Sequence, residues 1–137
     1  MKIVLDTNVL LQAISSKSFH FWIWEALRTK KLTLCVSSEI LFEYEEILAI
    51  KRNPELAKLV LEVIILMPNV VRVETYFNFG LPGNDPDDQK FVDCAIACGA
   101  DYLVTEDNDF KALNRIKFPR VNVVKPEEFK AIFHKEV

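Results

Sequence analysis

Five short apolar segments, separated by stretches with helical periodicity, constrain the fold of this chain more than any other feature of its sequence. Most of these segments are continuously apolar, as strands covered on both faces are. Strand–helix alternation predicts an α/β fold, with a mostly parallel sheet and helices on both of its faces. The predicted strands are Lys2–Leu5, Leu32–Val36, Val70–Val73, Tyr102–Val104 and Val121–Val124.

Capping residues mark where several of the predicted helices begin and end. Asn53 before Pro54, and Asp85 before Pro86, are each typical of an N-cap followed by a first-turn proline. Gly99 is placed to stop the helix that follows Pro86. The predicted helices are Phe19–Arg28, Ile40–Leu48, one that starts at Pro54, one from Pro86 to Cys98, and Pro126–Phe133. With 137 residues and no repeat or linker, the chain is predicted to form a single domain over residues 1–137.

Composition excludes several classes of protein. Half of the residues are hydrophobic and 27% are charged, which is unlike a disordered chain. No apolar stretch approaches the ~18 residues of a membrane-spanning helix, and the N-terminus lacks a signal-peptide cleavage pattern, so we expect a cytoplasmic protein with no membrane association. The three cysteines, an odd number with no CxxC spacing, argue against a disulfide framework and a thiolate zinc site.

Acidic side chains are concentrated in one segment. Residues 85–109 hold eight acidic residues and one basic residue, a net charge of −7, whereas the rest of the chain, with 16 basic and 12 acidic residues, is +4. Such a segment can be a solvated acidic face. It would also attract a divalent cation that prefers carboxylate oxygens, and it would repel nucleic acid unless cations neutralise it.

Polar residues follow three of the predicted strands directly. Asp6 follows the first strand, Ser37 the second, and Glu106 with Asp107 the fourth. Ligands of open α/β sheets bind outside the carboxyl ends of the strands, so these residues predict a site at one edge of the sheet. Helix capping is the alternative role for Asp6, Ser37 and Asp107, because these residue types are preferred N-caps.

Three further acids are candidates for the same site. Asp93 is the one charged residue in the helical segment FVDCAIAC, where an isolated carboxylate is costly unless it is paired, hydrogen-bonded or metal-bound. Glu43 lies at the border of the apolar stripe of its helix, although an ordinary surface position is its alternative. Asp88 has a capping alternative, because with Asp85 as N-cap it would be the N3 residue of a capping box.

Motifs along the whole chain resemble those of PIN (PilT N-terminal) nuclease domains. The opening IVLDTNVLLQAI resembles the start of the family. The run SSEILFEYEEIL resembles its second motif, in which a glutamate lies about six residues after a serine at a strand end. The stretch NDPDDQKFVDCAIACGADYLVTEDNDF is similar to the third and fourth motifs, especially as they occur in PIN-family toxins of toxin–antitoxin pairs.

The resemblance implies a three-layer α/β/α fold with a central parallel sheet of about five strands. It also implies an acidic site that binds Mg²⁺ or Mn²⁺. In that site Asp6, Glu43, Asp88 and Asp107 match the catalytic quartet, Asp93 matches an additional metal-binding acid, and Thr7, Asn8, Ser37 and Asp109 would support them. Asp107 and Asp109 remain alternatives for the fourth acid.

The implied activity is hydrolysis of RNA phosphodiester bonds to 5′-phosphate and 3′-hydroxyl products. A metal would compensate the crowded carboxylates, lower the pKa of a bound water and stabilise charge on the phosphate. A toxin of this family is also expected to bind an antitoxin protein and to form a homodimer or higher homo-oligomer. No basic tract is evident near the acids, so the sequence leaves the RNA-binding surface undefined.

Other functions fit the residues less well. A receiver-type phosphoacceptor needs an acidic pair after its first strand, where this chain has only Asp6, and a haloacid-dehalogenase-like phosphatase needs DxD. A PIN-fold module that binds RNA or protein without turnover is the remaining alternative. His20 and His134, the two histidines, are predicted to have surface or helix-packing roles rather than a part in nucleophilic catalysis.

Overall fold

A five-stranded sheet, with all neighbouring strands parallel, forms the centre of the molecule. The computed structural model describes residues 1–75 and 87–136. The strands are β1 (Lys2–Leu5), β2 (Thr33–Val36), β3 (Val70–Arg72), β4 (Tyr102–Val104) and β5 (Val123–Val124). Their order across the sheet is β3-β2-β1-β4-β5. The prediction of a parallel sheet with β1 in its interior is therefore confirmed.

Helices cover both faces of this sheet. They are α1 (Thr7–Ala13), α2 (Phe21–Arg28), α3 (Ser38–Lys51), α4 (Pro54–Leu66), α5 (Gln89–Cys98) and α6 (Pro126–Glu136). A 3₁₀ helix over Asn108–Arg115 connects β4 to β5. The three-layer α/β/α arrangement predicted from the alternation of apolar segments is confirmed.

The order of the strands reverses beside β1. The chain passes from β1 to β2 and β3 on one side, and then returns to place β4 and β5 on the other side. Loops that leave the carboxyl ends of β1 and β4 therefore diverge, which opens a crevice where open α/β sheets bind their ligands. Asp6 follows β1 and Thr105 follows β4 at this edge.

Caps predicted from the sequence hold the helix ends. The Asn53 side chain accepts a 2.7 Å hydrogen bond from the amide of Leu56 at the start of α4. Gly99 ends α5 in the left-handed region, at φ 66°, where a side chain would be strained. Ser37 caps α3 by accepting from the amide of Ile40, so its predicted capping role is confirmed.

The start of α5 differs from the prediction. Residues 87 and 88 form a turn, and α5 begins at Gln89, so Asp88 occupies the N-cap position rather than position N3 of a capping box. The predicted N-cap Asp85 and first-turn Pro86 lie outside the described residues.

One cysteine prediction is wrong. Cys35 of β2 and Cys98 of α5 form a disulfide, with their Cα atoms 6.5 Å apart. The two residues are 63 positions apart in sequence, and only the packing of α5 against β1, β2 and β4 brings them together. Cys94 is a buried free thiol. Within residues 1–75 and 87–136, no helix is both long and apolar enough to cross a membrane.

Candidate active site

A hydrogen-bond chain joins the carboxyl ends of β1 and β4 around Asp6. The backbone N–H of Asp6 donates to the carbonyl of Val104 (3.1 Å), and Oδ2 of Asp6 accepts from the hydroxyl of Thr105 (2.7 Å). The same Thr105 oxygen accepts from the backbone N–H of Asp107 (3.0 Å). Asp6 and Asp107 are thus both bonded to one buried threonine, at the edge of the sheet where the strand order reverses.

Glu43 is held beside this chain by two other elements. The hydroxyl of Thr7, the first residue of α1, donates to Oε2 of Glu43. The ammonium group of Lys90, near the start of α5, lies 2.8 Å from Oε1. Since Thr7 follows Asp6 and Lys90 is two residues after Asp88, Glu43 is tied to the segments that carry both of these acids.

Burial and a neighbouring charge act on the pKa of Asp6 in the same direction. Burial raises the pKa of the Asp6 carboxyl above its ordinary value, and the nearby Glu43 carboxylate adds to that rise. The Thr105 hydroxyl and the amides of Asn8 and Thr7 oppose it. Tyr44 is fully buried and donates to the carbonyl of Leu5; burial and then the charges of Cys94, Asp6 and Glu43 raise its pKa.

Asp93 is buried on α5, and a buried carboxylate with apolar neighbours needs a hydrogen-bond partner. Nε2 of Gln89, one helical turn earlier, donates a 2.9 Å hydrogen bond to Oδ1 of Asp93. Both side chains are less than a tenth exposed. The amide therefore offsets part of the cost of burying this carboxylate.

Asp107 and Asp109 occupy different environments. Asp107 is the N-cap of the 3₁₀ helix, and its Oδ1 accepts from the amide of Asp109 (2.9 Å). This confirms the capping role considered for Asp107. Both residues are exposed, but the backbone N–H of Asp107 is bonded to Thr105 and through it to Asp6, whereas Asp109 lies in the first turn of the 3₁₀ helix. This arrangement favours Asp107 as the fourth acid.

The side chains of two predicted supporting residues contact groups other than the acids. Ser37 is almost fully buried, and its side-chain oxygen caps α3 by accepting a hydrogen bond from the amide of Ile40. Asn8 is exposed on α1, where its Oδ1 lies 3.5 Å from the ammonium group of Lys51. Among the side-chain contacts of the described residues, Thr7 is the supporting residue whose side chain bonds to a predicted acid, whereas Asn8 and Asp109 act on Asp6 and Asp107 through their backbone amides.

The donors at this edge suit a hard cation. They are carboxylate and hydroxyl oxygens, the ligands preferred by Mg²⁺ and Mn²⁺. Among the described residues, however, no three of the predicted acids bring ligand atoms within 4.8 Å of one another. That spacing is met by a different group, His20, Glu106 and Glu127, in which Nε2 of His20 lies 3.1 Å from Oε1 of Glu106. The predicted acids therefore fit a metal by chemistry, and a Mg²⁺ ion that keeps several waters does not need all of them as direct ligands.

Sequence reasoning missed the residues that connect the acids. Thr105 follows β4 just as Asp6 follows β1, so its position at the strand end was the available signal. Lys90 is the single basic residue in the acidic segment, and that isolation was a signal as well. The contact of His20 with Glu106 joins residues 86 positions apart and has no local signal.

Comparison with known proteins agrees with this architecture. Residues 2–109 match the sequence profile of the PIN domain. No curated protein matches the chain significantly.

Similar folds occur among solved structures. VapBC2 from Rickettsia felis, bound to a DNA fragment from its promoter, has a TM-score of 0.62 at 21% identity and covers 91% of this chain and 98% of its own. VapC20 of Mycobacterium tuberculosis, a Sarcin-Ricin loop cleaving toxin, has a TM-score of 0.57 at 14% identity, with coverages of 80% and 93%. The PIN domain endonuclease Utp24 has a TM-score of 0.54 at 17% identity, with coverages of 90% and 84%.

The profile covers well over half of the chain and spans β1 to the start of the 3₁₀ helix, which includes every predicted acid. On this evidence the chain belongs to the PIN domain family.

Proposed function

We propose that this chain is a metal-dependent endoribonuclease that hydrolyses RNA phosphodiester bonds. The observation that carries the proposal is the connection of Asp6 to Glu43 and Asp107 through Thr7 and Thr105, at the crevice of a PIN domain. Two proteins of similar fold are described as a toxin that cleaves the Sarcin-Ricin loop and as an endonuclease, which supports a nuclease.

The carboxylates would hold Mg²⁺ or Mn²⁺. We assign Asp6, Glu43, Asp88 and Asp107 as the catalytic acids, with Asp93 as a further metal-binding residue. A bound metal would lower the pKa of a water molecule and stabilise charge on the phosphate and the leaving oxygen. Asp6 and Glu43 are partly buried, which favours these electrostatic interactions because water competes less with them there.

Neighbouring side chains orient the acids for this task. Thr105 bonds to Oδ2 of Asp6, and Thr7 bonds to Oε2 of Glu43, so each carboxylate is held by one of its oxygens. The other oxygen of Glu43 contacts Lys90. Lys90 partly neutralises Glu43 and thereby reduces repulsion of an incoming phosphate. These three residues are positioning residues in the proposed site.

We further propose that the protein is a cytoplasmic toxin of a toxin–antitoxin pair, acting as one domain over residues 1–137. The fold it shares with VapBC proteins supports an antitoxin partner. We also expect the toxin to form a homodimer or a higher homo-oligomer. If this role is correct, expression of this chain alone should inhibit growth, and co-expression with its antitoxin should relieve that inhibition.

The activity can be tested with a 5′-labelled single-stranded RNA pool, incubated with Mn²⁺, with Mg²⁺, or with a chelator. Cleavage should require a metal and yield 5′-phosphate and 3′-hydroxyl ends, and Asp6→Asn should nearly abolish it. Glu62→Gln, which changes an exposed carboxylate on α4, is the matched control and should cleave normally. RNA binding without cleavage under all conditions would instead identify a catalytically silent module.

A further inference from the structure

A groove beside the acidic site contains two cations, Lys51 and Arg52, which are adjacent in sequence and reach the neighbourhood of the acids only in the folded chain. The groove has a volume of about 590 Å³ and is bounded by α1 and by the end of α3, with Asn8, Gln12, Lys51 and Arg52 in its lining. Glu106, which precedes Asp107, lines its other side. Asn8 follows Thr7, which bonds to Glu43, and Glu106 precedes Asp107. The groove therefore begins next to both of these acids.

Among the described residues, the two cations of the groove form no ion pair with a carboxylate, although Glu106 lines the same groove. The contact of Lys51 is with the neutral Asn8 side chain, at 3.5 Å. Lys51 in the last turn of α3 also suits the helix dipole, but that role does not extend to Arg52, which lies beyond the helix.

The basic surface continues past Arg52. A second cavity of about 310 Å³ shares Arg52 with the first and adds Lys17, together with Ser15 and Ser16. Three cationic side chains therefore line two adjoining cavities that meet at Arg52, and the first cavity reaches the acidic site at Asn8 and Glu106, the neighbours of Thr7 and Asp107.

Polar side chains of α1 follow the same path. Asn8 and Gln12 are four residues apart on α1, which places them on one side of the helix, roughly 6 Å apart along its axis at about 1.5 Å per residue. Ser15 lies beyond the end of α1 and lines the second cavity. Amide and hydroxyl groups at this spacing can form hydrogen bonds with the sugars and phosphates of a strand.

We propose that these two adjoining cavities, the Lys51–Arg52 groove, bind the phosphodiester backbone of single-stranded RNA on one side of the scissile phosphate. The inference rests on the proposed ribonuclease function and specifies where the substrate lies. The acidic crevice repels the phosphates that flank the cleavage point, so a strand needs cations immediately outside it. Arg52 can contact a phosphate through two N–H groups, and Lys51 and Lys17 supply point charges.

The groove can be tested by RNA binding in the absence of cleavage. In an Asp6→Asn background with Mg²⁺, the Kd of a fluorescent 12-nucleotide single-stranded RNA is measured by anisotropy as a function of salt. The double change Lys51→Ala/Arg52→Ala should reduce the slope of log Kd against log salt by about 1.4, at roughly 0.7 for each lost phosphate contact. At 0.1 M salt this corresponds to weakening by roughly 10- to 30-fold.

The matched control is Lys31→Ala/Arg120→Ala. These exposed residues precede β2 and β5, at the opposite edge of the sheet from the acids, so the same loss of net charge should change Kd by less than about threefold. Thermal unfolding of both double variants shows whether each is folded. If RNA affinity weakens equally in the control and in the groove variant, the loss reflects net charge alone and the proposal is overturned.

The remaining outcomes separate the groove from the activity. If the wild type cleaves RNA while the groove variant keeps its affinity and salt slope, the groove is wrong and the ribonuclease function stands. If RNA binds through the groove but no metal supports cleavage, the groove stands and the proposed activity fails. Absence of RNA binding by the Asp6→Asn protein would overturn the proposal. If that protein instead binds an acidic peptide and the Lys51→Ala/Arg52→Ala change removes this binding, the groove is a site for a protein partner and the proposal is wrong.

Discussion

The hydroxyl of Thr105 donates a 2.7 Å hydrogen bond to Oδ2 of Asp6, although 99 positions separate the two residues in sequence. The bond crosses from the end of β4 to the end of β1, the two neighbouring strands between which the strand order reverses. The fold thus converts two separate strand ends into one site.

Replacing this hydroxyl should weaken both folding and activity. Thr105→Val keeps the shape of the side chain but removes the donor to Asp6 and the acceptor of the Asp107 amide, and Thr105 is almost fully buried. We expect a loss of about 1–3 kcal/mol in the free energy of unfolding, measured by urea denaturation. RNA cleavage should fall as well, because Asp6 loses its orientation. Thr105→Ser retains the hydroxyl and should restore most of both; equal stability of the valine and wild-type proteins would contradict this role.

The Asp6 carboxylate should reduce stability at neutral pH when no metal is present. Burial raises its pKa in the folded protein, so between its ordinary value of 3.8 and the higher folded value the folded state binds more protons than the unfolded state. The free energy of unfolding therefore falls as the pH rises through that window. Asp6→Asn removes this loss and should be more stable than the wild type at pH 7 with a chelator.

The pH series provides the control for that prediction. Below pH 3.8 the Asp6 carboxyl is protonated in both states, so the stability advantage of Asp6→Asn should disappear. Urea unfolding at pH 3, 5 and 7 measures this trend. An advantage that is constant across the series would show that the asparagine acts through packing or capping and not through charge.

Lys90 should compete with a metal for the charge of Glu43. The pair is partly buried and its two charged atoms lie 2.8 Å apart, so Lys90→Met should lower stability without metal by about 1–3 kcal/mol. The variant removes the ion-pair partner of Glu43, and Mn²⁺ should therefore raise its melting temperature more than that of the wild type. Lys58→Met, on the exposed side of α4, is the control. A smaller Mn²⁺ effect in Lys90→Met would indicate that Lys90 helps to build the metal site.

Cys94 should be unreactive in the folded protein. Burial, with the charge of Asp93 as a second cause, raises the pKa of its thiol to about 12, so almost no thiolate is present at pH 8. Iodoacetamide should label Cys94 slowly under native conditions and rapidly in denaturant, as measured by peptide mass spectrometry. Rapid native labelling would mean that α5 opens readily from the sheet.

Local sequence patterns predicted most of the fold because they report on local interactions. The apolar segment Lys2–Leu5 became β1 unchanged, and Asn53 with Pro54 starts α4 where the capping pattern placed it. The start of α5 was placed too early, at Pro86, because the prediction used the same capping rule where residues 87 and 88 form a turn. The predicted strand over Val121–Val124 shortened to Val123–Val124, since only these two residues pair with β4.

The candidate site was predicted only in part. The positions of Asp6 and Asp107 followed from the rule that ligands bind at the carboxyl ends of parallel strands, and the burial of Asp93 followed from its apolar neighbours. The partners of these acids did not follow, because Thr105 reaches Asp6 across 99 positions and Lys90 reaches Glu43 from a different helix. Periodicity and capping rules describe contacts a few residues apart and carry no information on such pairs.

The sequence by itself determined the α/β alternation, the strand-end positions of the acids and the concentration of negative charge in residues 85–109. Tertiary structure alone decided which side chains meet. It bonded Cys35 to Cys98, placed Lys51 and Arg52 beside the acidic crevice, and gave Glu43 a cation. The physical reason is that backbone preferences act between near neighbours in the chain, whereas ion pairs, disulfides and grooves depend on distances that only the packing of α1, α3 and α5 around the sheet defines.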